Sequence, residues 1–482
     1  MPKSKVLSSL IYKFSERLMV KGLGLIISIV LARLLSPTEF GQIALIMVFI
    51  NLSFTFIDSG LSSALVQDKR TSNEDYSTVL YISITIASLL IIALWLTAPL
   101  IGNYYNDSSI VLPLRVYSFS LLVGAVKSIL VAKIQREMRF KQMMWCNLLA
   151  CILSGCIGIS MAYAGSGIWA LIAYYFSSSL LGCLFLLYIT KWHPCLVFSI
   201  QRAKTLFSFG WKMLVSGLLC GLYNDLRSLI IGKVFTPADL GYYNRGQQIP
   251  DVISHTLDSS IQSVMFPVMA RSQDDNKQIR FILQRSISMG AFIIMPIMIG
   301  LAAVAGPFVE ILLTAKWLPC VPYMILMCIG YTTVPITKSC LVSIKAIGRS
   351  DVYMKLEIAR RIAMLIVLLI SVICFDSVLA IAVGFAISEW IDCIIISIPT
   401  KRLLDFPIIE QFKCFYKPLL CSLLMGLFVY LIGNIDLPII VTILVQIVCG
   451  IVIYVFASLL FNKKMFEAVL QTLSQIKSRQ TV

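Results

Sequence analysis

Charge is scarce in these 482 residues: 13% are Asp, Glu, Lys or Arg, where an ordinary soluble domain has about a quarter. With 59% hydrophobic residues and a mean hydropathy of +0.89, this excludes a soluble enzyme, because no soluble core hides so much apolar surface. Histidine is scarcer still, with His193 and His255 the two in the chain. There is no P-loop, no G-x-G-x-x-G in a strand–helix context and no H-E-x-x-H. Covalent catalysis has no motif to rest on, and no cofactor is expected. The 14 cysteines include no C-x-x-C pair. Cys146, Cys151, Cys156, Cys183, Cys220 and Cys449 lie inside apolar segments and are read as small buried hydrophobes, not as zinc ligands or disulfides. Long polar stretches are missing too, so no nucleotide-binding domain fits and direct ATP hydrolysis is out. The N-terminus lacks the uninterrupted apolar run of a signal peptide, since Glu16, Arg17 and Lys21 break it; the first helix is expected to stay uncleaved.

What the chain has is apolar runs of bilayer-spanning length. The reading is an all-α polytopic membrane protein with about 14 transmembrane helices, each of about 20 residues. The expected spans are 12–34, 40–62, 78–101, 110–132, 143–164, 167–190, 207–235, 240–266, 286–313, 320–343, 355–375, 377–399, 416–434 and 437–461. The first and eighth carry the most charge. The chain's net charge of +16 would suggest nucleic acid in a soluble protein. Here the basic residues sit between apolar runs, and topology explains them without a nucleic-acid partner. With the N-terminus cytoplasmic, every second connection gathers Lys and Arg, as at Lys133, Arg136, Arg139 and Lys141, or Arg271, Lys277, Arg280 and Arg285. The intervening connections, GNYYNDSS, YAGSG and GNIDLP, are nearly free of them. Positive charge marks the cytoplasmic side, so both termini are expected there.

A repeat organises the chain. ARLLSPTEFG (32–41) aligns with GKVFTPADLG (232–241), matching Pro37 to Pro237 and Gly41 to Gly241. The helices that follow continue the match, with Asn51, Thr55, Asp58 and Ser62 facing Asp251, His255, Asp258 and Gln262. Spacings of four, three and four place each set on one helical face. The offset crosses six spans, an even number, so the halves run parallel. Repeats of this kind characterise transporters, with the substrate handled between the halves. The expected domains are an N-terminal six-helix lobe (1–200), a C-terminal six-helix lobe (201–402), and two further transmembrane helices with a short tail (403–482).

Charged residues inside a bilayer are costly and need a partner or water. The candidate cavity cations are Arg17, Lys21, Lys127, Arg227 and Lys338; Arg360 and Arg361 also fall inside a span. Arg17 and Lys21 share a face of the first helix, with Lys21 about 13 Å inside the cytoplasmic end at 1.5 Å per residue. The alternatives for Arg17 are snorkelling to the interface or pairing with Glu16. Asp225 and Arg227 are two apart and cannot face each other on one helix, so each looks elsewhere for a partner or faces water. Lys127 and Lys338 occupy corresponding depths in the two halves and either both line a cavity or both anchor at the interface. Pro335 precedes Lys338 and is expected to kink its helix. The eighth span carries the longest polar stripe: Asn244, Gln248, Asp251, His255, Asp258 and Gln262. Histidine is the side chain that titrates near neutral pH. Asp225, Asp251, His255 and Asp258 are therefore candidates for ion coupling, as are Glu389 and Asp392. The competing reading of each is a satisfied polar network that serves packing.

The run LARLLSPTEFGQIALIMVFINLSFTFIDSGLSSALVQ (31–67), followed by AKIQREMRFKQ (132–142), resembles bacterial polysaccharide flippases of the Wzx type, in their colanic-acid-exporter-like branch. These belong to the multidrug/oligosaccharidyl-lipid/polysaccharide (MOP) exporter superfamily, with the MATE drug exporters and the lipid II flippase. The resemblance implies two six-helix lobes in a V around a central cavity, and alternating access. It also implies an undecaprenyl-diphosphate-linked oligosaccharide as substrate. Relatives use cations of the first and seventh helices, which carries over by helix to Arg17, Lys21 and Arg227; the arginine-rich pattern of the lipid II flippase is absent. The expectation is a non-enzymatic, monomeric flippase of the bacterial inner membrane, feeding capsule, O-antigen or exopolysaccharide assembly, in contact with membrane lipids and with polymerase and chain-length machinery. Two rivals stand beside it. A MATE-like ion-coupled drug antiporter would want an acidic cavity. A membrane-embedded polysaccharide polymerase would want a long periplasmic loop, which no outside connection provides.

Overall fold

A computed structural model describes residues 3–58, 65, 72–273, 275–435, 437–463, 465–467 and 471, without the side chains of 3–18, 205–210, 212, 213, 216, 220, 260, 264 and 350. Ser62 and the side chain of Arg17 thus lie outside the described residues. Described secondary structure is helical throughout. In chain order the helices are α1 (Lys3–Leu34), α2 (Pro37–Asp58), α3 (Asn73–Tyr104), α4 (Val111–Ser118), α5 (Ser120–Arg136), α6 (Phe140–Tyr163), α7 (Ile168–Thr190), α8 (Ile200–Val234) and α9 (Pro237–Ala270). They continue with α10 (Asn276–Ala303), α11 (Ala305–Leu313), α12 (Val321–Tyr331), α13 (Val334–Ala346), α14 (Ser350–Cys374), α15 (Val378–Leu404), α16 (Ile408–Ile432) and α17 (Ile439–Phe461).

Among the described residues, nine helices are long and apolar enough to cross a membrane, and ten if the bent pair Ala315–Tyr331 and Val334–Ala346 counts as one. α1, α8, α9 and α14 are as long but carry more charge. The bend of 41° falls just before Pro335, which sits in the first turn of α13, where its missing N–H costs nothing. The expected fourth span is likewise divided, into α4 and α5 at Phe119. Exposed Leu96, Ile373, Ile440 and Leu460 suit a hydrocarbon solvent, where an apolar exterior carries no penalty.

Contacts divide the chain into two compact units, Met1–Gly241 and Tyr242–Val482. The division follows residue 241 and not residue 200 because α8, expected to open the second lobe, packs on α2. Small residues let it approach: a Cβ on Gly217 would lie 3.1 Å from the Thr55 methyl. Within this unit α6 pairs with α1 and α7, and Val79, Ile129, Ile134, Cys146 and Leu186 form the core. In the second unit α10 packs along α16, α14 along α15 and α16 along α17. The two helices beyond the repeat are therefore built into that unit and do not stand apart. Their core joins Phe292, Cys421, Met425 and Tyr454, and the Tyr454 hydroxyl donates to the Phe292 carbonyl at 2.8 Å.

The repeated motif is a helix start used twice. Ser36 Oγ donates to Glu39 Oε2 at 2.9 Å and accepts from the Glu39 N–H; Thr236 and Asp239 repeat the arrangement, at 2.6 Å from Oγ1 to Oδ2. Each is a capping box with proline at the first helical position. The glycines have a second reason. A Cβ on Gly41 would lie 1.6 Å from the Pro237 carbonyl oxygen, and one on Gly241 would lie 2.1 Å from that of Pro37. Each helix start is fitted against the other copy's proline, and both lie in the first unit.

Candidate functional site

In the first unit, α2, α5 and α7 enclose a cavity of about 650 Å³. Phe54, Ile57 and Asp58 reach it from α2, Lys127, Ser128 and Gln135 from α5, and Ser179 from α7. Two glycines shape it. The Phe54 ring lies over Gly124, where a Cβ would come within 1.9 Å of it. The Lys127 ammonium lies over Gly182, 2.9 Å from where a Cβ would be. Small residues at both places let a lysine and an aromatic face reach into a space of ligand size. Both Asp58, expected in the polar stripe, and Lys127, expected at the same depth as Lys338, therefore line one cavity.

The second unit carries the corresponding residues differently. Lys338 Nζ of α13 stands 3.7 Å from Asp258 Oδ2 of α9, and Asp258 Oδ1 also accepts from Gln262 at 3.0 Å. Further along α9, Asp251 accepts a hydrogen bond of 2.9 Å from the Tyr331 hydroxyl, and His255 Nε2 lies 3.4 Å from the same carboxylate oxygen. Gln247 donates to Tyr331 Oη at 3.4 Å, and Phe385 packs edge-on against the Tyr331 ring, centroids 5.3 Å apart. Glu389 closes this end, its Cγ 3.4 Å from where a Cβ on Gly330 would be. The stripe thus falls into two groups, Asp251 with His255 and Tyr331, and Asp258 with Gln262 and Lys338. Gln248 is drawn out of it as acceptor for Arg245, whose guanidinium lies 5.1 Å above the Trp317 ring.

Other expected residues are placed elsewhere. Asp392 is buried, at 2% exposure, and receives both Nε and Nη2 of Arg360, the second at 2.6 Å. Glu357 takes the remaining side of Arg360 at 2.7 Å. Asp392 and Arg360 are buried and occupied with each other, while Glu357 is only partly covered. Lys21 is exposed on α1, and Arg227 and Asp225 are half-buried on α8. Neither Lys21 nor Arg227 lines the 650 Å³ cavity. Asp225 has no side-chain partner among the described residues, whereas Arg227 is engaged. Among the described residues no group of three His, Cys, Asp or Glu is placed to hold a metal ion.

Tyr331, Gly182 and Gly124 escape a search for charge and motif. A second use of the repeat would have found part of this arrangement: once Asp58 is matched to Asp258, the lysines of the two broken helices become their candidate partners.

Residues 30–322 match the family described as "Polysaccharide biosynthesis protein". Among curated relatives, the teichuronic acid biosynthesis protein TuaB of Bacillus subtilis (strain 168) is 27% identical over 274 residues, 56% of each chain. The lipopolysaccharide biosynthesis protein WzxC of Escherichia coli (strain K12) is 24% identical over 330 residues, 68% of this chain and 67% of that one. The match therefore spans little more than half the length of the first relative and about two thirds of the second. Among solved structures, the lipid II flippase MurJ in an inward closed conformation aligns with a TM-score of 0.77 at 18% identity, covering 94% of this chain and 99% of that one. An inward-facing multidrug resistance MATE family transporter of the MOP superfamily aligns with a TM-score of 0.62 at 15% identity, covering 82% and 98%. With its multi-pass helical architecture built on the fold of MurJ and the MATE transporters, the chain belongs to the polysaccharide biosynthesis protein family.

Proposed function

We propose that this protein is a flippase that moves a lipid-linked oligosaccharide, carried on undecaprenyl diphosphate, across the bacterial inner membrane by alternating access. It acts as a monomer with both termini cytoplasmic and hands its product to polysaccharide polymerisation. The observation that carries the reading is the set of side chains at the 650 Å³ cavity. A glycosyl diphosphate headgroup needs a cation for its phosphates, hydroxyl and amide partners for its sugars, and an apolar face for a pyranose ring. Lys127, then Ser128, Gln135 and Ser179, with the Asp58 carboxylate as an acceptor for sugar hydroxyls, then Phe54 supply these in turn. An ammonium in a wet cavity favours a phosphate through charge-assisted hydrogen bonds. A single lysine holds it without trapping it. Arg17, Lys21 and Arg227 on α1 and α8, and Lys338 in the second unit, are the further cations this reading assigns to the anionic headgroup. The names of TuaB, WzxC and MurJ support the same substrate class.

The group of Asp251, His255 and Tyr331 supports coupling to an ion, since ionisable side chains placed within a membrane span mark ion pathways. The test is a deletion strain assayed for surface polysaccharide and for lipid-linked repeat units. The expected outcome is lost polymer with fully built repeat units accumulating on the cytoplasmic side. Intact polymer with altered drug sensitivity would overturn the reading in favour of a MATE-like antiporter. Lost polymer without the intermediate would place the protein upstream, in assembly.

A further inference from the structure

α10 and α16 run side by side in the second unit. Near the start of both, Arg280 is clamped by Glu410 at 2.5 Å and Asp405 at 3.6 Å. Beside this clamp lies a cavity of about 660 Å³, lined by Phe281, Gln284, Arg285 and Ser288 of α10 and by Glu410 and Lys413 of α16. It is a different space from the Lys127 cavity, in the other unit, and it involves a helix from outside the repeat. Two cations on separate helices face it. Among the described residues neither Arg285 nor Lys413 has an ion-pair, hydrogen-bond or ring partner for its side chain. Glu410, the acid in the lining, is already held by Arg280.

Both are exposed, and two like charges lining one space give it a positive potential that draws an anion. A phosphate fits the donor set: a guanidinium for two of its oxygens, an ammonium for a third, and the Gln284 amide and Ser288 hydroxyl as neutral donors. Phe281, 62% exposed, continues the site as apolar surface, which suits a ligand with a hydrocarbon tail. Both helices begin on the side to which the distribution of Lys and Arg assigns the cytoplasm. Basic pockets between transmembrane helices on that side suit anionic lipid headgroups. We infer that this cavity binds the phosphate of an anionic membrane phospholipid, and that the two helices beyond the repeat help to build that lipid site.

The inference is independent of the transported substrate, and so is its test. The full-length chain is purified in detergent and its retained lipid is read by native mass spectrometry after addition of phosphatidylglycerol, phosphatidylcholine or inorganic phosphate. The expected result is retention of phosphatidylglycerol at least about tenfold above phosphatidylcholine, not displaced by inorganic phosphate. The double variant Arg285→Gln/Lys413→Gln is expected to lose that preference at an unchanged melting temperature, and Arg285→Lys/Lys413→Arg to keep it. Equal retention of the two lipids, an undiminished preference in the glutamine variant, or displacement by millimolar inorganic phosphate would each overturn the proposal. Should the glutamine variant fold poorly, Ser288→Leu, which narrows the same cavity without removing charge, is expected to lower the preference.

Discussion

Lys127 faces a cavity of about 650 Å³ that it shares with Asp58, while its counterpart Lys338 stands 3.7 Å from Asp258. The two lysines sit on the second segments of two broken helices, and the two aspartates are matched by the repeat. The first copy keeps room between its helices, because Gly124 and Gly182 give way to Phe54 and to the lysine. In the second copy the lysine of α13 is held in an ion pair with Asp258 of α9, and α9 also carries the neighbouring Asp251 and His255. The repeat places a lysine and an aspartate in each copy, and local packing decides that one set lines a cavity while the other forms an ion pair. The buried Arg360–Asp392 pair marks the far end of this range, where charges are sealed away and serve the fold.

That range can be broken at its sealed end first. Asp392→Ala leaves the Arg360 guanidinium buried without its main partner, and is expected to cost about 3–5 kcal/mol. Thermal unfolding in detergent should show the loss, or the protein should fail to accumulate. Asp58→Ala, on an exposed side chain, is expected to leave the melting temperature nearly unchanged; an equal drop in both variants would erase the distinction. A smaller effect is expected on transport: Lys127→Ala should slow flipping of a fluorescent lipid-linked oligosaccharide in proteoliposomes by about tenfold or more, the value of one charge-assisted contact. Lys127→Arg should recover most of the rate. The smallest effect belongs to the closed pair, where Asp258→Asn and Lys338→Gln are each expected to change the rate a few-fold. Their double variant should fall short of the sum by about 0.5 kcal/mol, the low end of the coupling found for contacting residues. Additivity would mean that the pair is not coupled.

Much of this was legible before any coordinates. Apolar run length and the alternation of Lys and Arg give the membrane class, because hydrocarbon leaves a backbone few options. The repeat was visible because its helix starts use a narrow chemistry of Ser or Thr, Pro, an acid and Gly. The site was legible only in part. Lys127 and Asp58 are identifiable as misplaced charges, but their meeting depends on three helices whose facing sides composition does not encode. Asp392 shows the limit in the other direction: its spacing to Glu389 suggested an acidic pair, while its actual partner comes from Arg360, 32 positions away on another helix. The packing of α8 along α2 was hidden for the same reason, since symmetry of sequence does not dictate which neighbour a linking helix packs on.

Gly41 and Gly241 carry a consequence for inheritance. Each is small because the other copy's proline carbonyl occupies the space its side chain would need. Neither half can enlarge that position alone, and a hybrid that took its second half from a distant relative would have to bring a matching helix start with it. The two copies pair their lysines and acids differently, but at this contact a change in one copy calls for a change in the other.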